Sequence, residues 1–363
     1  MPRGLSVLAL VTDAFGGYGG IAQYNRDLLQ ALADSAIVER VVALPRIAKG
    51  GADGPPSKVV QSAPRFGRLS YSLNALATAR RDGPFDVVFC GHLYHAPLAA
   101  ALCRIIGARM WLQTHGIDAW ERPSPLVRAS ADRAELVTAV SRCTRRRVLE
   151  WTTVRPERVR VLPNTVRSTF SPGLRSEATL AKFGLSGAKI LLTVSRVDKV
   201  DAYKGHDRVI KAMAKVRRAE PDALYVVVGD GDGRADLQAL TERSGLTDAV
   251  RFLGRLSDED VLALYRSADA FIMPSMKEGF GIVFVEAGAC GLPVIAGNRD
   301  GSVDALADGQ FGRLVDPLSQ DEIVGALIDI LRRRPPAAVE AVQRFSYPQF
   351  AKHVDALVRT LAA

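Results

Sequence analysis

Short β-branched and apolar runs alternate with helical patterns along nearly the whole chain, and the alternation stops once and then restarts. This rhythm is the mark of parallel sheets whose strands are joined by crossover helices. In the first half the runs fall at Leu5 to Thr12, Val38 to Leu44, Asp86 to Cys90, Arg109 to Thr114, Leu136 to Val140 and Val159 to Leu162. From Asn164 to Gly187 turn formers and scattered charges take over, with Pro172, Gly173, Gly184 and Gly187 and no strong apolar period, which predicts a linker. Strands resume at Lys189 to Ser195, Ala223 to Val228, Val250 to Leu253, Ala270 to Met273, Pro293 to Ala296 and Arg313 to Val315. The expectation is an α/β chain of two doubly wound units, residues 1–168 and 169–346, with a last helix over 347–363 placed to cross back to the first. Two such units facing each other make a cleft at the C-terminal ends of both sheets, where open α/β folds bind ligands.

Composition narrows the function classes. With 363 residues, 48% hydrophobic and 24% charged, the chain has the make-up of a folded protein without a disordered tail. The stretch nearest to a membrane span, Gly279 to Gly297, carries Glu286 and Pro293, so no transmembrane helix is expected. The apolar run Leu5 to Val11 meets Asp13 at once and has no small-x-small cleavage site, so it reads as a first strand and not a secretory signal. Cys90, Cys103, Cys143 and Cys290 fall in four different elements with no C-x-x-C pair, which suits buried thiols in a reducing cytoplasm better than disulfides or a zinc site.

Charge is uneven. The first 170 residues hold 23 of the 48 Lys+Arg and 13 of the 39 Asp+Glu, a net +10, and the remainder stands at −1, which restores the formal +9. A general preference for arginine would load both halves alike. The first half is therefore expected to meet something anionic, a phospholipid surface, a phosphorylated acceptor or nucleic acid.

Three loops after strands are candidates for chemistry. Gly16-Gly17-Tyr18-Gly19-Gly20 precedes a helix opening at Ile21, an arrangement that favours an anion but is neither a dinucleotide fingerprint nor a P-loop; a tight strand-to-helix turn explains it equally well. Gly229-Asp230-Gly231-Asp232-Gly233 imitates both a dinucleotide fingerprint and a metal-holding carboxylate pair, and a polar turn is the plainer reading. The strongest is Glu278-Gly279-Phe280-Gly281-Ile282-Val283-Phe284-Val285-Glu286, after the strand ending at Pro274-Ser275. Eight steps at about 100° on one helix return to within about 80°, which lets both carboxylates face one crevice. Sugar hydroxyls suit the two carboxylates, and the helix N-terminus between them suits a diphosphate.

This Glu-x7-Glu segment, with Cys290-Gly291-Leu292-Pro293-Val294-Ile295 behind it, resembles the retaining glycosyltransferases of family four. The resemblance extends through Gly19-Gly20-Ile21-Ala22, Thr114-His115-Gly116-Ile117-Asp118, Val140-Ser141, Pro163-Asn164, Ser195-Arg196, Tyr203-Lys204-Gly205, Val250-Arg251-Phe252-Leu253-Gly254 and Gly312-Arg313-Leu314-Val315. It implies the GT-B fold, two Rossmann-like domains across a cleft, the first holding the acceptor and the second a nucleoside diphosphate sugar.

Carried over by residue, the resemblance assigns Glu286 to the ribose hydroxyls, Glu278 to the hexose, the Phe280, Gly281 and Ile282 amides to diphosphate and sugar, and the Arg251-Phe252-Leu253 backbone to the base. Arg196 and Lys204 become the cations on the leaving diphosphate, the role a metal takes elsewhere. The family sets that lysine about five residues after the arginine, whereas Lys204 follows Arg196 by eight with Lys199 between. Lys204-Gly205 fits the motif better. His115 corresponds to a histidine near the transferred sugar, and Gly19 and Gly20 to backbone contacts with the diphosphate. His92 and His95 are placed to line the acceptor side, and the other histidines join no evident cluster.

The expectation is a metal-independent, cofactor-free hexosyltransferase acting with retention in cell-surface polysaccharide synthesis. Around Gly297 to Asp304 the chain is most similar to exopolysaccharide mannosyltransferases that use GDP-mannose and a polyprenyl-diphosphate-linked glycan, with a UDP-hexose as the other donor. A cytoplasmic location with peripheral contact to an anionic membrane through Arg145, Arg146 and Arg147 is expected, and no nucleic-acid partner. A nicotinamide-dependent oxidoreductase, or a nucleotide-sugar epimerase or sensor on the same fold, is the alternative.

Overall fold

The structure, a computed structural model, describes residues 4–47, 54–333, 335 and 338–362. It divides into two compact units, one of residues up to Thr165 together with those from Tyr347 onward, the other Val166–Ser346.

The first unit carries strands β1 (Leu5–Val11), β2 (Val38–Pro45), β3 (Val59–Gln61), β4 (Val87–Cys90), β5 (Arg109–Thr114), β6 (Leu136–Ala139) and β7 (Val159–Val161). Its helices are α1 (Gly20–Asp34), α2 (Arg68–Arg81), α3 (Ala96–Ile106), α4 (Ile117–Trp120), α5 (Pro125–Ala131) and α6 (Arg142–Leu149). The strands pair in parallel in the order β3-β2-β1-β4-β5-β6-β7. Leu8, Leu10, Val88 and Leu112 are fully buried. Helices cover both faces of such a sheet, which is why its inner strands read as continuous apolar runs and not as alternation.

The second unit holds α7 (Glu177–Lys182), β8 (Lys189–Val194), α8 (His206–Ala219), β9 (Ala223–Val228), α9 (Arg234–Arg243) and β10 (Val250–Gly254). It continues with α10 (Asp258–Ser267), β11 (Ala270–Met273), α11 (Ile282–Ala289), β12 (Val294–Gly297), α12 (Ser302–Ala305), β13 (Gly312–Val315), α13 (Gln320–Arg333) and α14 (Val339–Val342). Its parallel order is β10-β9-β8-β11-β12-β13. In each unit the strand order reverses beside the first strand, between β1 and β4 and between β8 and β11, and the C-terminal ends of those pairs are where an open α/β sheet offers a crevice.

Two expectations change. The stretch expected as a linker contains α7, capped by the Ser176 hydroxyl accepting from the Thr179 N–H at 3.2 Å and anchored by the fully buried Leu180. The first sheet has an additional edge strand, β3, whose Val60 side chain is exposed. The C-terminal helix α15 runs Tyr347–Ala362, position 363 lying outside the described residues, and packs along α1.

Candidate active site

Both sides of the β8–β11 switch point contribute charged side chains. After β8 the chain passes through Ser195 and Arg196 into a 3-10 segment, Lys199–Lys204, that feeds α8. After β11 it passes through Pro274 and Ser275 to Glu278. These two loops bring Lys204 Nζ to 3.6 Å from Glu278 Oε1, with the side chains only 11% and 15% exposed. Burial pushes the Glu278 carboxyl above its ordinary range, Lys204 opposes the rise, and the neighbouring charges of Asp300 and Asp201 add to it.

Of the two candidate lysines, Lys204 is the one beside Glu278. Lys199 points elsewhere, its Nζ 3.0 Å from the Asp236 carboxylate on α9. The unusual spacing between Arg196 and Lys204 is absorbed by the 3-10 turn. That turn folds the buried Asp201 inward, where its Oδ2 lies 3.1 Å from the exposed Arg196 guanidinium and its Oδ1 accepts from the Tyr203 hydroxyl at 3.1 Å. Below this loop lies a buried relay: the Ser195 hydroxyl meets His206 Nε2 at 2.9 Å, and His206 Nδ1 meets the Tyr225 hydroxyl at 3.0 Å. Burial and the Lys204 charge lower His206 to about 4, so the ring stays neutral near pH 7. Neither Asp201 nor His206 was singled out by sequence reasoning, since nothing local marks a residue whose partners come from folded loops.

The segment from Glu278 corrects the helical arithmetic. Helix α11 begins at Ile282, and Gly281 before it has φ +83°, left-handed backbone that a side chain disfavours. Residues 278–281 are therefore a loop, and the angle between Glu278 and Glu286 is not a helical one. Phe280 turns its ring into the core against Phe345, centroids 5.4 Å apart, so what it offers a ligand is its backbone. Glu286 sits half-buried on α11 and accepts from the Tyr265 hydroxyl at 3.2 Å. Arg251, on the edge strand β10, spends a guanidinium N–H on the Thr247 carbonyl at 2.8 Å, and the Phe252 carbonyl accepts from Arg234 at 3.1 Å. Leu253 follows, half-buried.

The two decoys in Gly229 to Gly233 have structural employment. Val197 and Gly233 are tied by the Gly233 N–H donating to the Val197 carbonyl at 2.9 Å, and Asp232 Oδ1 accepts from the Lys199 N–H at 2.7 Å. Asp230 Oδ1 accepts from the Gly231 N–H and lies 3.7 Å from Arg234. The turn thus buttresses the Arg196 loop.

In the first unit His115 follows β5. Its Nε2–H donates to the Gly91 carbonyl at 2.9 Å, which fixes the tautomer and leaves Nδ1 as acceptor. Burial lowers it to about 4. The His115 N–H donates to Asp118 Oδ1 at 3.0 Å, and burial raises that carboxyl to about 7. His92 lies with its ring centroid 6.0 Å from His115, and the buried His95 stacks on Tyr71 at 5.1 Å. Gly19 and Gly20 head α1, exposed, and a side chain there would meet nothing within 4 Å. Of the three arginines expected at a membrane, Arg145 is committed to the chain, donating to the carbonyls of Val159 at 2.6 Å and Pro156 at 2.9 Å.

Comparison with known proteins agrees with this architecture. The family described as "Glycosyltransferase Family 4" matches residues 18–170, and "Glycosyl transferases group 1" matches residues 176–347. The chain is 32% identical to the GDP-mannose-dependent alpha-(1-6)-phosphatidylinositol monomannoside mannosyltransferase of Mycolicibacterium smegmatis, over 68% of this chain and 68% of that one. It is 28% identical to the GDP-mannose-dependent monoacylated alpha-(1-6)-phosphatidylinositol monomannoside mannosyltransferase of Corynebacterium glutamicum, over 91% of this chain and 90% of that one. Among solved structures, Anabaena HepE in complex with UDP superposes with a TM-score of 0.78 at 21% identity, over 98% of this chain and 100% of that one. The chain belongs to the family 4 glycosyltransferases, with two Rossmann-like domains of the GT-B type.

Proposed function

We propose that this glycosyltransferase moves a mannosyl group from GDP-mannose to a hydroxyl of a lipid-anchored glycan in cell-surface polysaccharide synthesis, with retention of configuration and without a metal. The observation that carries the reading is the nearly buried Lys204–Glu278 pair at the β8–β11 switch point, with Arg196 on the adjoining loop. A cation and a carboxylate side by side suit a donor that is anionic at its diphosphate and rich in hydroxyls at its sugar. The two relatives described above, both GDP-mannose-dependent mannosyltransferases acting on phosphatidylinositol mannosides, support GDP-mannose and a lipid-anchored acceptor. Membership in the family displaces the nicotinamide oxidoreductase alternative.

In this reading the second unit holds the donor. Glu278 accepts from the hexose hydroxyls and Glu286 from the ribose, while Arg196 and Lys204 balance the diphosphate as it departs. The acceptor hydroxyl forms its bond to the anomeric carbon on the face that the diphosphate leaves, and its proton passes to the departing phosphate oxygen. The first unit, with His115, takes the acceptor. Thermal shift with GDP, UDP and ADP tests the donor: a nucleotide at about 100 times its Kd adds about 2.7 kcal/mol. GDP is expected to raise Tm most. A larger shift with UDP overturns the choice of donor, and no shift with any of them overturns the reading.

With Arg145 committed to the chain and Arg146 and Arg147 exposed on α6, the membrane contact proposed for the basic first half extends to α2. Phe66, just before α2, and Leu69 and Leu73 on it are 69%, 74% and 59% exposed, while Tyr71, Ala75 and Ala79 of the same helix are buried. Arg65 and Arg68 flank them, exposed. Apolar side chains flanked by two arginines, on the unit that carries the excess positive charge, suit the interface of an anionic bilayer.

A further inference from the structure

Glu278 does not stand on a helix, so something else must fix its position. Its peptide is gripped from both sides by two consecutive residues of the loop between β12 and α12. The Glu278 N–H donates to Asp300 Oδ2 at 2.7 Å, and the Glu278 carbonyl accepts from the Gly301 N–H at 2.9 Å. Asp300 is 2% exposed. Its Oδ2 also accepts from the Ser275 hydroxyl at 2.7 Å, and its Oδ1 from the Ser302 N–H at 2.9 Å. One carboxylate thus ties together the end of the β11 loop, the Glu278 peptide and the start of α12. The approach is close: a Cβ on Gly301 would lie 2.0 Å from the Gly279 carbonyl oxygen, so only glycine allows the loops to meet this way.

We propose that Asp300 is the positioning residue for Glu278: through hydrogen bonds to its backbone and to Ser275 it sets where the sugar-facing carboxylate stands, without touching the donor itself. This rests on the donor reading of Glu278 given above. A buried carboxylate with three donors aimed at it is a rigid joint, and a site whose supporting residues are loose loses rate before it loses affinity. The charge of Asp300 also bears on Glu278. Those facing the Glu278 carboxylate are Lys204 and Asp201 from the 3-10 segment and Asp300 from the β12 loop, with the Tyr203 hydroxyl nearby.

The test is a double-mutant cycle on the full chain with Asp300→Asn, Glu278→Gln and the pair, measuring kcat, donor KM, GDP affinity and the pH profile of kcat. Asp300→Asn is expected to lower kcat at least tenfold while GDP affinity changes less than threefold, because GDP lacks the sugar. In the Glu278→Gln background the same substitution is expected to cost less than threefold, since the residue it positions is already disabled. Its acid limb is expected to move to lower pH, because one of the charges raising the Glu278 carboxyl is gone; loss of packing alone does not move that limb. If Asp300→Asn melts well below the native chain, Ser275→Ala, which removes one of the same hydrogen bonds, takes its place and is expected to lower kcat with GDP affinity retained. Glu278→Gln slow but Asp300→Asn unchanged, or the two effects multiplying independently, overturns the positioning role and leaves the donor reading standing. Full activity in Glu278→Gln overturns the donor reading itself.

Discussion

The edge of the Tyr24 ring meets the His115 imidazole with centroids 5.1 Å apart and planes at 88°, and Phe350 of α15 meets the same Tyr24 ring at 5.8 Å. The Tyr24 hydroxyl is held by Gln113 at 2.7 Å. The last helix therefore reaches His115 through a single ring. Phe350→Ala is expected to cost about 3–5 kcal/mol, the usual range for deleting a buried aromatic ring. Tyr24→Phe keeps the ring and gives up one buried hydrogen bond, about 0.5–1.5 kcal/mol. Urea unfolding of both variants checks the order; equal costs would mean that the hydroxyl and not the ring stack carries the contact.

Glu278 and Glu286 are expected to separate kinetically. In the proposed donor site Glu278 faces the sugar that moves, so Glu278→Ala is expected to lower kcat by roughly 10- to 150-fold. Glu286 has a second duty in accepting from Tyr265, and the variant to use is Glu286→Gln, which keeps an acceptor there. It is expected to raise donor KM with little change in kcat, as removal of a uniform binding contact does. Donor titrations on both variants decide, and a Glu278→Ala enzyme with full kcat removes the donor site as drawn.

Acid stability follows from four desolvated histidines, His95 and His206 buried and His92 and His115 half-buried. Burial lowers His92 and His95 to about 3 and His115 and His206 to about 4, against about 6.5 for the unfolded chain. Each is held neutral in the fold, so between about pH 6.5 and 4 the unfolded chain binds more protons and stability falls as pH falls. Asp118, raised to about 7, and Glu278, raised as well, act in the opposite direction, binding protons in the fold first. Four histidines outweigh two carboxyls, so Tm is expected to decline from pH 6.5 to pH 4.5. A Tm that is flat or rises over that window contradicts the burial of these rings.

Metal independence is tested by chelation. In the proposed site Arg196 and Lys204 supply the positive charge that a divalent ion would otherwise bring to the diphosphate, and Asp230 and Asp232 are engaged in the turn beside the Arg196 loop. EDTA is expected to leave transfer rates within twofold. Loss of activity restored by magnesium or manganese would promote Asp230 and Asp232 to ligands.

The α2 surface predicts salt-sensitive vesicle binding. Co-sedimentation with vesicles rich in anionic lipid is expected at low salt and weakens at high salt, with each arginine near the surface contributing about 1 kcal/mol. Replacing Leu69 and Leu73 by serine is expected to reduce binding and leave Tm near native, since both side chains are exposed. Arg145→Ala is expected to act on stability and not on binding, because its guanidinium is bonded to Val159 and Pro156. Equal binding to neutral vesicles removes the electrostatic part of the proposal.

What could be read in the sequence was what local pattern dictates. Arg109–Thr114, Ala223–Val228 and Ala270–Met273 are strands in the structure over the residues expected, because inner parallel strands carry a run of consecutive apolar residues, Met110 to Leu112 in the first and nearly the whole length of the other two. Val59–Gln61 escaped because three residues at a sheet edge, one of them exposed, have no pattern to show. The short α7 escaped because a single buried leucine gives no helical period. At the site, Glu278 stands out as a charge beside glycines after a strand, whereas Lys204 and Arg196 were legible only through the family resemblance. Asp300 and Asp201 do not, since their roles are bonds across loops whose partners lie far off in the chain or around a 3-10 turn. The helical reading of residues 278–286 failed at Gly281, whose left-handed backbone delays α11 until Ile282.

Because α15 belongs to the first unit while the entire second sheet lies between them in the chain, the molecule cannot be finished in the order in which it is synthesised. A ribosome adding about 5–20 residues per second leaves on the order of tens of seconds between the emergence of Tyr24 and that of Phe350. Through that interval the face of α1 that α15 will cover is bare apolar surface, while the second unit has everything it needs to close by itself. A premature stop just after Ser346 would release a chain whose second unit is whole and whose first unit has lost the helix that backs Tyr24.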